Sequence, residues 1–226
     1  GGLVCMVETA IQSAPVFDQT SGNWLCLDFT HTLEDRPSGH PRELLNSYSD
    51  FVSWGLYMHL LTDDEAQHLL EEAARHPAQA SQALQKAIVS REVIYRIFYQ
   101  IAEDSSPAGT DLTALNTILS ETMSHARIVQ GADGFIWNWD SNQEILERLL
   151  WPVVRSAADL LTSDELHVVR VCAAEDCGWL FLDTSKNHSR RWCDMKSCGN
   201  RAKARRHYGR KKGSSSDIER VTLPHL

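Results

Sequence analysis

The 226-residue chain nowhere approaches the roughly 20 uninterrupted apolar residues that a membrane helix needs. It does not open on a basic segment leading into an apolar stretch, so no secretory signal is expected. His-Glu-x-x-His, Gly-x-Ser-x-Gly and phosphate-loop patterns are all missing, and the chain reads as a non-enzyme. No internal repeat occurs. Positive charge is scarce over residues 1–169, which carry 9 Lys/Arg against 24 Asp/Glu, a net of −15. Cysteine is scarce outside one cluster, which holds four of the six. These absences favour a cytoplasmic protein, where thiols stay reduced and clustered cysteines are more often metal ligands than disulfides.

What is present divides in two. Residues 170–226 carry 13 Lys/Arg against 6 Asp/Glu, a net of +7. An acidic body is thus joined to a basic, anion-seeking end. In the body, Asn23 to Phe29 is apolar enough for a buried strand. The prolines and glycine from Thr30 to Pro41 predict a loop. Leu44, Leu45, Tyr48, Phe51, Val52 and Leu56 recur at helical spacing within 42–61. Thr62-Asp63-Asp64-Glu65 has the form of a capping box for a helix reaching Arg75. Pro77 opens a long helix to about Glu103, and another runs from Asp111 to about His125. Gly131-Ala132-Asp133-Gly134 between two apolar runs predicts a hairpin with Trp137 and Trp139 on one side. A last helix, disturbed at Pro152, is expected from about Asn142 to Leu161. The fold class is therefore α+β: a mainly helical N-terminal domain with a few strands, plus a small C-terminal zinc-binding module.

The cysteine cluster supplies that module. Cys172, Cys177, Cys193 and Cys198 lie within 27 residues as Cys-x4-Cys, 15 residues, Cys-x4-Cys. Two ligand pairs on short turns, separated by a hairpin-sized insert, suit one tetrahedral zinc site with four cysteine ligands. Four thiolates close the coordination shell, so the zinc is structural rather than catalytic. The apolar run Trp179-Leu180-Phe181-Leu182 can cover the metal. The alternatives are disulfides, four core cysteines, or a site of three cysteines and one histidine using His188 or His207. Cys5 and Cys26 have no partner motif.

After Cys198 the sequence continues Gly-Asn-Arg-Ala-Lys-Ala-Arg-Arg-His-Tyr-Gly-Arg-Lys-Lys. Asn200 can begin a helix that Ala, Lys and Arg propagate. Helical phase places Ala204 and Tyr208 together, flanked by Arg201 and Arg205, and packed towards the zinc knuckle. Lys203, Arg206, His207 and Arg210 then share the outer side, free to meet phosphates or base edges. The candidate DNA-binding set is Asn200, Arg201, Lys203, Arg206, His207 and Arg210. The same helix could instead dock on an acidic protein surface, making the module a zinc-stabilised protein-interaction unit. Asp28 and His31 form a candidate ligand-binding pair at the end of the expected strand.

Two stretches resemble known families. Cys193-Asp194-Met195-Lys196-Ser197-Cys198-Gly199-Asn200-Arg201-Ala202-Lys203 closely resembles the CGNR zinc finger, named for its Cys-Gly-Asn-Arg sequence. Cys177-Gly178-Trp179-Leu180-Phe181-Leu182-Asp183 and Arg190-Arg191-Trp192-Cys193 also look like it. Leu25-Cys26-Leu27-Asp28-Phe29-Thr30-His31-Thr32 resembles the motif opening the companion ABATE domain, where Asn usually stands at the position of His31. The resemblance implies a bacterial transcription regulator, with the finger as DNA binder and the N-terminal domain as sensor. The expected layout is an ABATE-like body at 1–165, the zinc finger at 166–212 and a mobile tail at 213–226. A small-molecule effector and a homodimer are further expectations.

Overall fold

A computed structural model describes residues 24–132, 134–139, 145–206 and 208. The order is α1 (Leu25–Thr30), β1 (Leu33–Glu34), β2 (Arg42–Glu43), α2 (Tyr48–Tyr57), α3 (Asp63–Arg75), α4 (Pro77–Ala102) and α5 (Gly109–Ser124). Then come β3 (Ala126–Gly131), β4 (Gly134–Trp139), α6 (Leu150–Leu161), a 3-10 turn (Asp164–Val168), β5 (Val169–Val171) and β6 (Leu180–Leu182). A π-helical turn, Met195–Gly199, runs on as helix through 200–206 and at 208. The strands pair as three antiparallel two-stranded units, β1–β2, β3–β4 and β5–β6. The architecture is α+β. No helix among the described residues is long and apolar enough to cross a membrane.

Helix α4 is the axis of the body. Ala80, Ala83, Ala87, Ile94 and Ile97 are buried along it at three- and four-residue spacing. It touches α1, α2, α3, α5, α6 and the β5–β6 hairpin. Thr62 caps α3, accepting from the Glu65 amide while Glu65 reaches back, as the sequence predicts. Ser47 and Asp50 form a second capping box, on α2. Each such cap contributes about 1 kcal/mol.

The hairpin β5–β6 joins the body to the cysteine cluster. Alternation along a strand points successive side chains to opposite faces. Leu180 and Leu182 accordingly enter the main core with Leu27 and Ile97, whereas Phe181 packs among the four cysteines. Val168 and Val169 also belong to the main core, so that core continues past residue 165.

Three expectations need correction. The sequence predicts a strand over Asn23 to Phe29, but Leu25–Thr30 is helix α1, with residues 26–30 all buried. A short apolar run does not distinguish a buried strand from a buried helical turn. Thr30 and Thr32 instead close this turn, their hydroxyls donating to the Leu27 and Phe29 carbonyls. The helix expected over 42–61 starts only at Tyr48, because 42–43 pair with 33–34 and Ser47 sets the cap. The last helix starts at Leu150, and Pro152 sits in its first turn, where its missing N–H costs nothing. The expected tail, like residues 1–23 and 140–144, lies outside the described residues.

Candidate metal centre and nucleic-acid interface

Strand β5 delivers Cys172, whose amide donates to the Trp179 carbonyl at 2.8 Å. A turn closed by Cys177 N–H to the Ala174 carbonyl at 3.1 Å places Cys177. The next residue, Gly178, has φ +67°, and a Cβ there would come within 2.9 Å of Pro37 Cδ. Both the left-handed backbone and the close approach of the β1–β2 loop therefore require glycine. Asp194 accepts from the Lys196 and Ser197 amides, starting the turn that carries Cys198.

The four sulfurs lie within 4.8 Å of one another, and all four residues are buried. Cys177 to Cys193 is 3.6 Å and Cys193 to Cys198 is 3.7 Å. Zn–S bonds of about 2.3 Å put the corners of a tetrahedron about 3.8 Å apart. The spacing fits the ion, and the four cysteines are positioned to hold one zinc. Proton sharing among the sulfurs points the same way. Hydrogen bonds with Cys177 and Cys193 hold the Cys172 pKa far below the ordinary thiol value. Hydrogen bonding to Cys172 pushes Cys177 and Cys193 far above it. Four thiolates this close repel one another, and a divalent cation among them would make the set tolerable.

Arg201 stands on the metal side of the helix. Its guanidinium donates to Cys198 Sγ at 3.1 Å and lies 3.7 Å from Asp176. Arg205 pairs with Asp176 at 2.6 Å and Glu175 at 3.6 Å. The inward line of the helix is therefore Cys198, Arg201, Ala202 and Arg205. The expected phase is corrected accordingly: Ala202 is half-buried, while Ala204 and Tyr208 are exposed. Asn200 does not begin the helix; its backbone is helical, following the turn Met195–Gly199, and its side chain donates to the Lys196 carbonyl at 2.9 Å. Lys203 and Arg206 are exposed, and among the described residues neither makes an ion pair. His207 and Arg210 lie outside the described residues.

Asp28 and His31 are brought together, but at the end of α1 and beneath the zinc knuckle. Both are buried, with His31 Nδ1 3.8 Å from Asp28 Oδ1. His31 Nε2 meets the Leu180 carbonyl at 2.8 Å, which fixes a proton on that nitrogen. The imidazole stacks on Trp179 at 4.2 Å and 7°. From α4, Tyr95 donates to the Gly178 carbonyl at 3.0 Å, and Arg36 lies 3.7 Å over the Tyr95 ring. Body residues thus clasp the segment 178–180 from two sides.

Sequence reasoning misses Asp183. It is fully buried, and its carboxylate accepts from the Ser185 amide at 3.0 Å and the Arg190 amide at 2.8 Å. Burial raises its pKa, but the Ser185 and Arg190 bonds outweigh that and leave it lowered. The carboxylate holds the loop that returns to Cys193. The available signal is Asp183-Thr184-Ser185, an acidic residue able to bond its own backbone two residues on.

The ABATE family model, described as "Putative stress-induced transcription regulator", matches residues 23–164. The CGNR zinc finger model matches residues 169–211. No curated protein matches the chain. With most of its length covered by the first model and the cysteine cluster by the second, this chain belongs to the ABATE family and carries a CGNR zinc finger.

Proposed function

We propose that the protein is a cytoplasmic bacterial DNA-binding transcription regulator, not an enzyme, in which zinc is structural and the finger's helix meets DNA. One observation carries this reading. The finger uses Arg201 and Arg205 internally, and on the same helix Lys203 and Arg206 are exposed with no ion-pair partner among the described residues. Arginine suits bidentate contact to guanine, and either basic residue suits phosphate. Neither family description names a reaction. The ABATE body would be the regulatory part. An effector that shifts α1 would be felt at the finger, because Asp28 and His31 reach Trp179 and the Leu180 carbonyl. The body's acidity repels phosphates, so a homodimer that doubles the basic contact would favour tight binding.

The test is a titration of labelled duplex genomic fragments at several salt concentrations, with a zinc-depleted control. Affinity should fall linearly with the logarithm of salt concentration. Lys203→Ala should flatten that slope by about one unit and weaken all sequences alike. Arg206→Ala should relax specificity at the base it reads. No binding at low salt would refute the reading and promote the finger as a protein-docking module.

A further inference from the structure

Beside the metal centre, the segment 191–192 and the helix enclose a cleft of about 420 Å³. Trp192, Arg191 and Arg206 line it, with Ala173, Ala202 and Glu175 completing the wall. Its shape is fixed by the zinc module. Ala173 N–H donates to the Arg191 carbonyl at 2.8 Å, Arg190 donates to the Trp192 carbonyl at 2.9 Å, and Trp192 packs on the cysteine cluster. The small side chains of Ala173 and Ala202 leave the space open.

We propose that this cleft receives one unstacked nucleobase of a single-stranded or locally opened DNA strand; the proposal rests on the DNA reading above. A base needs a π-face to stack on, and Trp192 supplies it. Its backbone needs cations at the rim, and Arg191 and Arg206 are both exposed there. The Arg191 guanidinium carbon lies over the Trp192 ring, 5.5 Å from its centre, so a base stacking on that face would take the place of this exposed, movable side chain. A base also carries an edge to be read. The Glu175 carboxylate stands at the rim, its charge offset by Arg205 at 3.6 Å. An acceptor there suits the exocyclic N4 amine of cytosine, whereas thymine carries a carbonyl oxygen, O4, at the same ring position, which a carboxylate repels. The phosphate ridge of a closed duplex is convex and would leave a recessed tryptophan unused.

The experiment uses zinc-loaded full-length protein and fluorescence anisotropy. The probes are labelled oligo(dC), oligo(dT) and a blunt duplex, with free dCMP as competitor. Zinc content and circular dichroism report whether each variant remains folded. Oligo(dC) should bind more tightly than oligo(dT) and than the duplex, and should quench tryptophan emission. Trp192→Ala should weaken oligo(dC) by about tenfold or more, the usual scale of one lost base stack, and Trp192→Phe should retain most of the affinity. Glu175→Gln, at an exposed position that leaves folding intact, should erase the preference for dC over dT. If Trp192→Ala loses zinc, Glu175→Gln and the preference for oligo(dC) over oligo(dT) and the duplex decide. Duplex binding with no single-strand preference, unchanged by Glu175→Gln and by a zinc-retaining Trp192→Ala, would overturn the cleft and leave the DNA reading standing. A free mononucleotide competing as well as the strand would overturn the strand as occupant. Failure of every DNA probe at low salt would overturn both.

Discussion

The body and the finger use their cations in opposite ways. In the body, Arg36 and Arg91 share Glu92, Arg91 also grips Glu43, Lys86 bridges Glu121 and Glu147, Arg96 holds Asp111, and Arg148 holds Glu65. All but the last tie α4 to its neighbours or hold the β1–β2 loop in place, and Arg148–Glu65 ties the segment before α6 to α3. In the finger, Arg201 and Arg205 are the cations committed this way among the described residues, both to Asp176 beside the zinc ligands. An acidic excess in the body is thus consistent with nearly saturated cations, whereas the smaller finger keeps positive charge in reserve for something outside itself. The metal makes that reserve possible, because a module this small cannot hold its shape by apolar burial alone.

The sharpest way to break this comparison is to remove the metal. Cys193→Ser, or a chelator, should unfold residues 183–208 while β5–β6 stays seated on the body core, since structural zinc contributes about 10 kcal/mol or more to such modules. Hydrogen exchange should show protection lost in the finger first and retained longest in α4. Uniform loss across the chain would show that the two regions are one cooperative unit. Next in size is Arg91→Ala. Removing one partner of a buried ion pair costs about 3–5 kcal/mol, and Arg91 is 1% exposed. Denaturant melts should show that drop, while Arg206→Ala shifts stability by no more than about 0.5 kcal/mol. Equal effects would erase the distinction between paired and reserved cations.

Gly178→Ala should cost about 1–3 kcal/mol, from the left-handed backbone and the clash with Pro37, and should weaken zinc retention measured by a colorimetric chelator. The smallest effect concerns acid. Burial raises the Glu92 pKa, but Arg36 and then Arg91 outweigh it, so the net shift is downward. A folded-state pKa below the ordinary value means that the contribution is present above the usual carboxylate range. It is lost as pH falls through the folded value. Glu92→Gln should therefore lower Tm at pH 7, and its deficit against wild type should shrink below about pH 4.5. A deficit independent of pH would assign the effect to shape rather than charge.

The metal centre is legible in the sequence because four residues of one rare type at fixed spacing suit a metal site better than any ordinary core. The long helices and the Thr62 cap are legible because periodicity and capping chemistry are local. What the sequence hides is phase and context. Helix α1 looks like a strand because both states bury such a run on all sides. In the helix after Cys198, apolar character points Ala204 and Tyr208 inward if the reach of arginine is left out. In the fold Arg201 and Arg205 take those inward places, satisfied by a sulfur and by Asp176. Asp28 and His31 are legible as a pair, but what they touch depends on residues about 150 positions away. No local pattern carries that information.

Strand β6 alternates between two interiors, with Leu180 and Leu182 on one side and Phe181 on the other. This gives the protein a chelate advantage. Once the body condenses around Leu180 and Leu182, the hairpin is set, and the thiols of Cys172 and Cys177 are delivered as a ready bidentate claw. An arriving ion would meet half of its coordination sphere already assembled, and only the segment carrying Cys193 and Cys198 would still have to close. The entropy of gathering ligands is then borne partly by burial of leucines far from the metal. Substitutions in the body's core should consequently register as altered zinc affinity.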